Sequence, residues 1–272
     1  MEKFKDKGII AYIIFFVAVT ITLFLIIPIE NQNIIEEKYG KLGKMAKTDE
    51  RAKYVVEHYS EYPDDLIYMY YSNDRYFDML YNYAFHKDDY DTMAFTAEEL
   101  NSELPPRLYM HDYRWAYEKI GGGYIFVDGC MTVALTMADI GLFHDGNMDP
   151  RKVAEIAELY GQLGQWGGIS EVGIENIFDA MGMKHETHFY DIANGEPACD
   201  DPSVIKNILD NDGVVMLGMF GETFGGHALL AVDYNDEGFI INDPASAERS
   251  EKIWTFEELA PEICYVWGLF AE

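Results

Sequence analysis

Basic side chains are scarce: of 272 residues only 20 are Lys or Arg, against 48 Asp or Glu, for a formal net charge of -28. Nothing in such a chain can neutralise a run of phosphates, which excludes an electrostatic nucleic-acid binder. Cysteine is scarce too. Cys130, Cys199 and Cys264 are too few for a disulfide framework in a domain of this size, and one at least stays unpaired unless it bridges two molecules. Charge is missing altogether between Gly8 and Ile29, and no internal repeat is present. Apolar residues (49%) and aromatic residues (15%) are abundant, far beyond what a disordered acidic tail carries, so most of the chain can bury a core.

The uncharged run GIIAYIIFFVAVTITLFLIIPI is long enough to span a bilayer, since about 20 apolar residues at ~1.5 Å rise cross the roughly 30 Å hydrocarbon layer. A cleaved signal peptide would be shorter and end at small residues, whereas this run continues through Leu25, Ile26, Ile27 and Pro28; residues 8–29 read as an uncleaved signal anchor. Lys3, Lys5 and Lys7 precede it and no basic residue follows before Lys38. The positive-inside rule then makes residues 1–7 a cytoplasmic tail and puts the rest outside. The expected localisation is the cell membrane, single-pass, with the C-terminal part extracellular. Lys3, Lys5 and Lys7 offset Glu2, Asp6 and Glu30, so the exported part keeps the whole acidic excess, repels anionic surfaces and stays soluble.

Residues 30–104 read as a helical juxtamembrane region rich in tyrosine, including Tyr59, Tyr62, Tyr68, Tyr70, Tyr71 and Tyr81, with breaks at Tyr62-Pro63 and Ser72-Asn73. Aromatics at helical spacing are more often core than a binding surface for glycans or peptides. Pro105-Pro106 closes the region, because a proline pushes its predecessor out of the α conformation, and residues 105–272 form the main domain.

That domain opens with a glycine turn (Gly121, Gly122, Gly123) and an apolar strand, Tyr124 to Val127. From Cys130 the period becomes helical (Val133, Ala134, Met137, Ala138), with Gly141 as its stop. Asp149-Pro150 starts a second helix, Ser170 to Met181 is a third, and Asp201-Pro202 starts a fourth. Strands follow at Val214 to Phe220, His227 to Tyr234 and Phe239 to Asn242, the last two joined by the turn Asn235-Asp236-Glu237-Gly238. Thr255 and Glu258 form a capping box. Helices followed by an antiparallel sheet predict an α+β domain.

Cys130 falls at a strand-to-helix corner, where unpaired N–H groups and the positive end of the helix dipole favour a thiolate, the form a nucleophile requires. His227 begins one strand and Asp243 lies just beyond the end of the next. Antiparallel pairing about a turn near residue 235 brings imidazole and carboxylate to the same end of the hairpin. If the hairpin packs against the start of the Cys130 helix, the three form a nucleophile, a base that takes its proton, and a carboxylate that orients the base.

The segments Asp128-Gly129-Cys130 with Ala134, Leu135 and Met137, then Gly226-His227-Ala228, then Asn242-Asp243-Pro244-Ala245-Ser246 resemble the C39-like branch of the papain-like cysteine peptidases. Asp112, Arg114 and Trp115, and the closing Trp254, Phe256 and Leu259, resemble that family's flanking pattern. The resemblance covers Pro105 to the C-terminus. It implies a papain-like fold, a helical half facing a β half, and hydrolase chemistry, which together with the anchor at residues 8–29 makes the expected protein a membrane-anchored extracellular hydrolase. Cys130 would attack an amide carbonyl, His227 would serve as base and then acid, and Asp243 would orient His227, on a peptide or peptide-like substrate and with no metal or cofactor. Where the family usually has Gly-Pro-Thr after the cysteine, this chain has Met131-Thr132-Val133; where it commonly has glutamine, this chain has Met110, whose side chain cannot donate a hydrogen bond. His111, Tyr124, Gln162 and Gln165 are other potential donors. These departures motivate an alternative, a catalytically impaired binding module that keeps the cleft. A structural ectodomain that binds a partner through its tyrosine-rich helices is a third reading.

Other features read as ordinary structure. Asp145, Asn147 and Asp149 mimic a calcium loop, but Pro150 stands at its glycine position and Ile156 at its glutamate. His185 and His188 have no partner motif for a metal, and the triple glycine lacks the Lys-Ser/Thr of a phosphate loop. Whether Cys199 and Cys264 pair with each other is open.

Overall fold

The computed structural model describes residues 38–89, 95–163, 169, 171–190 and 199–271; the expected span Gly8 to Ile29 lies outside them. No helix among the described residues is long and apolar enough to cross a membrane. The chain divides into two compact units between His86 and Lys87.

The first unit is helical. Residues 38–45 form a helix, followed by α1 (Glu50–Glu57), α2 (Asp64–Ser72) and α3 (Phe77–His86). Asp49 caps α1 by accepting from the Arg51 N–H, and Ala52, Val55 and Val56 turn one face inward. Leu66, Ile67 and Tyr70 do so on α2, and Phe77 and Leu80 on α3. Lys41 donates to the carbonyls of Tyr70 (2.6 Å) and Tyr71 (3.2 Å), placing a cation at the negative end of α2. Tyr62 and Tyr70 are buried whereas Tyr68 is exposed, so the tyrosines divide between core and surface.

The second unit begins earlier than Pro105. Helix α4 (Ala97–Leu100) carries Glu99, whose carboxylate meets the Arg114 guanidinium at 2.7 Å, and Phe95 packs on Trp115. Strands β1 (Lys119–Ile120) and β2 (Gly123–Tyr124) form a short hairpin. The expected strand Tyr124 to Val127 is confined to Tyr124; the chain turns at once into α5 (Ile125–Asp128), whose apolar residues Ile125 and Phe126 are buried as a helical turn. Helix α6 (Cys130–Phe143) has every residue from Thr132 to Ile140 buried, the pattern of a helix enclosed on all sides. It does not stop at Gly141 but at His144, in the left-handed conformation. Gly141 serves packing instead: a Cβ there would lie 2.5 Å from Cγ of Pro105. Helices α7 (Pro150–Tyr160), capped by Asp149, and α8 (Glu171–Ala180) complete the helical half.

The β half is one antiparallel sheet in the order β3-β8-β4-β5-β6-β7, formed by β3 (Lys184–Phe189), β4 (Val214–Met219), β5 (His227–Tyr234), β6 (Phe239–Asn242), β7 (Ile253–Trp254) and β8 (Ile263–Phe270). Helix α9 (Ser203–Leu209) precedes β4, α10 (Ala247–Glu251) follows β6, and α11 (Phe256–Leu259) carries the Thr255/Glu258 capping box. Ala228, Leu230, Val232 and Met216 join the core built on α6, while Leu229, Ala231, Val215 and Leu217 face a second core with α9. The fold is α+β, a helical half and an antiparallel sheet, compatible with a papain-like arrangement.

One residue on α6 is out of keeping with its surroundings. Thr132 and Thr136 bond back to the carbonyls of Gly129 and Thr132, but Asp139 is 3% exposed and its Oδ2 meets no hydrogen-bond partner among the described residues. Burial, with a smaller push from the Asp145 charge, raises its carboxyl to about 7. A buried acid with a raised pKa binds its proton more tightly folded than unfolded, so ionisation lowers stability as pH climbs from about 4 to about 7. Asp139→Asn is expected to raise the unfolding free energy at pH 8 by on the order of 2 kcal/mol and to have little effect at pH 4. Thermal unfolding across that range checks it, and equal melting temperatures for the two proteins at pH 8 would contradict it.

Candidate functional site

Cys130 is the first residue of α6, half-buried, and its helix has no side-chain cap. The residue before it must be small, since a Cβ on Gly129 would lie 2.5 Å from the Ile125 carbonyl oxygen closing α5. Two helical segments thus meet at a glycine, and the first-turn N–H groups of α6 remain free of a capping side chain beside the thiol.

His227 and Asp243 come from the β5–β6 hairpin, and a bulge decides how they meet. Near the turn Tyr234 pairs with Phe239 and Asp233 with Ile240; beyond an irregularity between Ala231 and Asp233, Ala231 pairs with Ile241 and Leu230 with Asn242. Continuing that register sets Asp243 opposite Leu229, two positions from His227 and therefore on the same face. Without the extra residue Asp243 would stand opposite Leu230, and alternation would turn it away from His227.

The side chains then meet directly. His227 Nε2 donates to Asp243 Oδ1 at 2.8 Å, and the Cys130 side chain is near enough to act on the imidazole. The imidazole is 8% exposed and the Asp243 carboxylate not at all. Burial pulls the imidazole pKa down, but the hydrogen bond to Asp243, the interaction with Cys130 and the charge of Asp243 outweigh it and push it up to about 9. At neutral pH His227 is therefore an imidazolium, beside Cys130.

Several partners of this cluster were not found from the sequence. Asp243 Oδ1 also accepts from the Ala245 N–H (2.7 Å), and the Asp243 N–H donates to Ser250 Oγ (2.8 Å). Arg249 brings Nε to 2.7 Å from Asp243 Oδ2, an ion pair without hydrogen-bond angles. The one local signal is Ser246, which caps α10 by accepting from the Arg249 N–H. That cap turns the chain so that a residue six positions after Asp243 folds back on it.

Met110 lies beside the cluster, its N–H donating to the Pro244 carbonyl at 2.8 Å and its side chain buried. His111 is exposed and stacks on Tyr109, and Tyr124 is buried under Lys119. Gln162 follows the end of α7 with a left-handed backbone, and Gln165 lies outside the described residues. His185 and His188, three apart on β3, point to opposite faces and pair separately with Asp179 and Glu186. Cys199 and Cys264 are both free, and burial pushes both thiols up.

The raised pKa of His227 has a stability consequence whose sign is definite. A histidine held above its unfolded value of about 6.5 adds stability that is complete below that pH and is lost as pH rises through the folded value of about 9. The melting temperature of wild type minus that of His227→Gln is expected to be largest at pH 6 and to shrink steadily toward pH 10. A gap that is flat across this interval would show that the imidazolium is not held.

No family model matches the chain, and no curated protein matches it. Among solved structures it is similar to the peptidase domain of Streptococcus ComA, a bi-functional ABC transporter involved in a quorum sensing pathway. The sequence identity is 16% and the TM-score 0.37, over 54% of this chain and 93% of that one.

Proposed function

We propose that the chain is a membrane-anchored, extracellular cysteine peptidase of the C39-like, papain-like type, hydrolysing or transferring acyl groups at an amide bond. The observation that carries this reading is His227, hydrogen-bonded to Asp243 and acted on by Cys130 at an uncapped helix start. In the proposed reaction the Cys130 sulfur attacks the amide carbonyl, and the backbone N–H of Cys130 stabilises the developing oxyanion. His227 gives its proton to the leaving amine, then takes one from the water or amine that cleaves the thioester. Asp243 holds the imidazole in the tautomer and orientation both steps need. The chemistry needs no metal or cofactor.

A second reading, a binding module with impaired catalysis, is favoured by Met110. It adjoins Pro244 in the segment where the resembled family commonly has glutamine, and its side chain offers no donor. Loss of one oxyanion donor typically costs about 10²–10³ in rate, so this reading predicts a reactive thiol with negligible turnover.

Iodoacetamide alkylation of the full chain in detergent separates the possibilities. Cys130 is expected to react at pH 7 at least roughly tenfold faster than in His227→Ala, while Cys199 and Cys264 stay slow. Hydrolysis of a fluorogenic peptide library is expected to fall by about 10²–10⁴ in His227→Ala. In wild type it is expected to decline above about pH 9, as His227 loses the proton it must donate. Alkylation indifferent to His227→Ala and Asp243→Asn sinks the catalytic reading; fast alkylation without hydrolysis favours the binding module.

The topology is tested separately. On intact cells a membrane-impermeant maleimide is expected to label a cysteine placed at Glu103, and the chain to resist alkaline extraction from membranes. Labelling only after lysis would reverse the orientation.

A further inference from the structure

The roles of nucleophile, base and orienting carboxylate leave Arg249 without a task, yet its guanidinium reaches the most buried side chain of the site. Asp243 has two carboxylate oxygens, and each is occupied differently. Oδ1 takes the His227 ring N–H and the Ala245 N–H, while Oδ2 has Arg249 Nε at 2.7 Å. A carboxylate with a partner on each oxygen, hydrogen bonds on Oδ1 and an ion pair on Oδ2, is restrained in orientation, whereas one held on a single oxygen can rotate about χ2. The same guanidinium donates from Nη1 to the Thr223 carbonyl at 3.2 Å and lies over the Phe224 ring. Thr223 and Phe224 belong to the loop that leads into His227, and that loop is fastened a second time by Glu262, which accepts from the N–H groups of both residues at 2.8 and 2.9 Å. Arg249 therefore touches the strand arm that delivers Asp243 and the loop that delivers His227. Its own position is set by the Ser246 cap and by Trp254, whose indole N–H donates to the Arg249 carbonyl at 3.0 Å. At 27% exposure it is partly shielded from solvent, so its contact with a fully buried carboxylate is screened less than a surface pair.

We propose that Arg249 is a positioning residue of the site: it clamps Oδ2 of Asp243 so that Oδ1 stays aimed at His227, and so keeps His227 aligned on Cys130. The inference rests on the catalytic reading above, because it assigns Arg249 a role only if Asp243 orients His227. It acts through Asp243 and touches no reacting atom. Arginine suits the place better than lysine, since one planar fork serves the carboxylate and the Thr223 carbonyl together.

The test uses the full chain in detergent, iodoacetamide as the probe of Cys130, and thermal unfolding of each variant to establish that it is folded. Arg249→Gln is expected to slow alkylation at pH 7 by roughly tenfold, within the range up to about 10² that a misplacement of ~1 Å produces, and to move the upper pH inflection of the rate downward. Arg249→Lys, which keeps a cation for Oδ2, is expected to recover most of that loss and serves if the glutamine variant does not fold. In an Asp243→Asn background, Arg249→Gln is expected to change nothing further, since the group it positions is gone. Three results overturn the proposal: no effect of Arg249→Gln, an upward move of the inflection, which would make Arg249 merely a charge opposing the imidazolium, or a full additional loss in the Asp243→Asn background. If wild type itself ignores His227→Ala and Asp243→Asn, the catalytic reading has failed; if it responds to those and not to Arg249→Gln or Arg249→Lys, only the role of Arg249 has.

Discussion

A carboxylate with no exposure to water, Asp243, has to be satisfied from inside the protein, and the site is arranged around that requirement. His227 from the start of β5, the Ala245 N–H from the chain just beyond, and Arg249 from α10 all converge on its two oxygens. Removing any one leaves part of a buried charge uncompensated, which is far costlier than losing a surface ion pair. The backbone around it is tied in the same spirit: the Asp243 N–H reaches Ser250, the Pro244 carbonyl takes the Met110 N–H, and the Asn242 side-chain amide donates to the Pro105 carbonyl at 2.7 Å. These bonds join the segment before the first hairpin to the end of β6, so the position of the carboxylate is shared by parts of the chain more than a hundred residues apart.

The helical half supplies the other constraint. Helix α6 is buried along nearly its whole length, and large apolar contact with β4 and β5 fixes its axis. A helix held that firmly presents its first residue in one place. The sulfur of Cys130 is thus located by the packing of residues a turn or more away, and His227 by the sheet on which the helix lies. The site thus draws on both halves, and Asp243 and Cys130 together hold the proton on His227. Asp139 on the same helix, whose Oδ2 meets no hydrogen-bond partner among the described residues, works against stability, and it lies outside the set of groups that the proposed chemistry uses.

The proposed peptidase and the binding module share every one of these features and differ at the oxyanion. Met110 stands where its backbone serves the architecture, through Pro244, and its side chain fills apolar space. An electrophile such as iodoacetamide needs only the thiolate, while an amide needs stabilisation of the tetrahedral intermediate as well. Thiol reactivity and turnover are therefore separable properties of this site, and Arg249 bears on the first of them.

Local chemistry was legible in the sequence. The strands His227–Tyr234 and Phe239–Asn242, the Asp149 cap and the Thr255/Glu258 capping box follow from short-range sterics and hydrogen bonding, and the structure has them as expected. Strand β3 was missed because KHETHF is a polar edge strand, and β8 because a strand buried on both faces shows no clean alternation. The helix stop was misplaced at Gly141 because a glycine that makes room for Pro105 looks the same in sequence as one that ends a helix. By itself the sequence determined which residue types were available and in which elements: a cysteine opening a helix, a histidine opening a strand, an aspartate closing the hairpin. Tertiary structure decided the rest. The bulge that turns Asp243 to the same face as His227, and the cap that folds Arg249 back onto it, depend on the register between strands and on side chains from distant segments. Neither has a local signature, because the energy that selects them is that of contacts the chain makes only once it is folded.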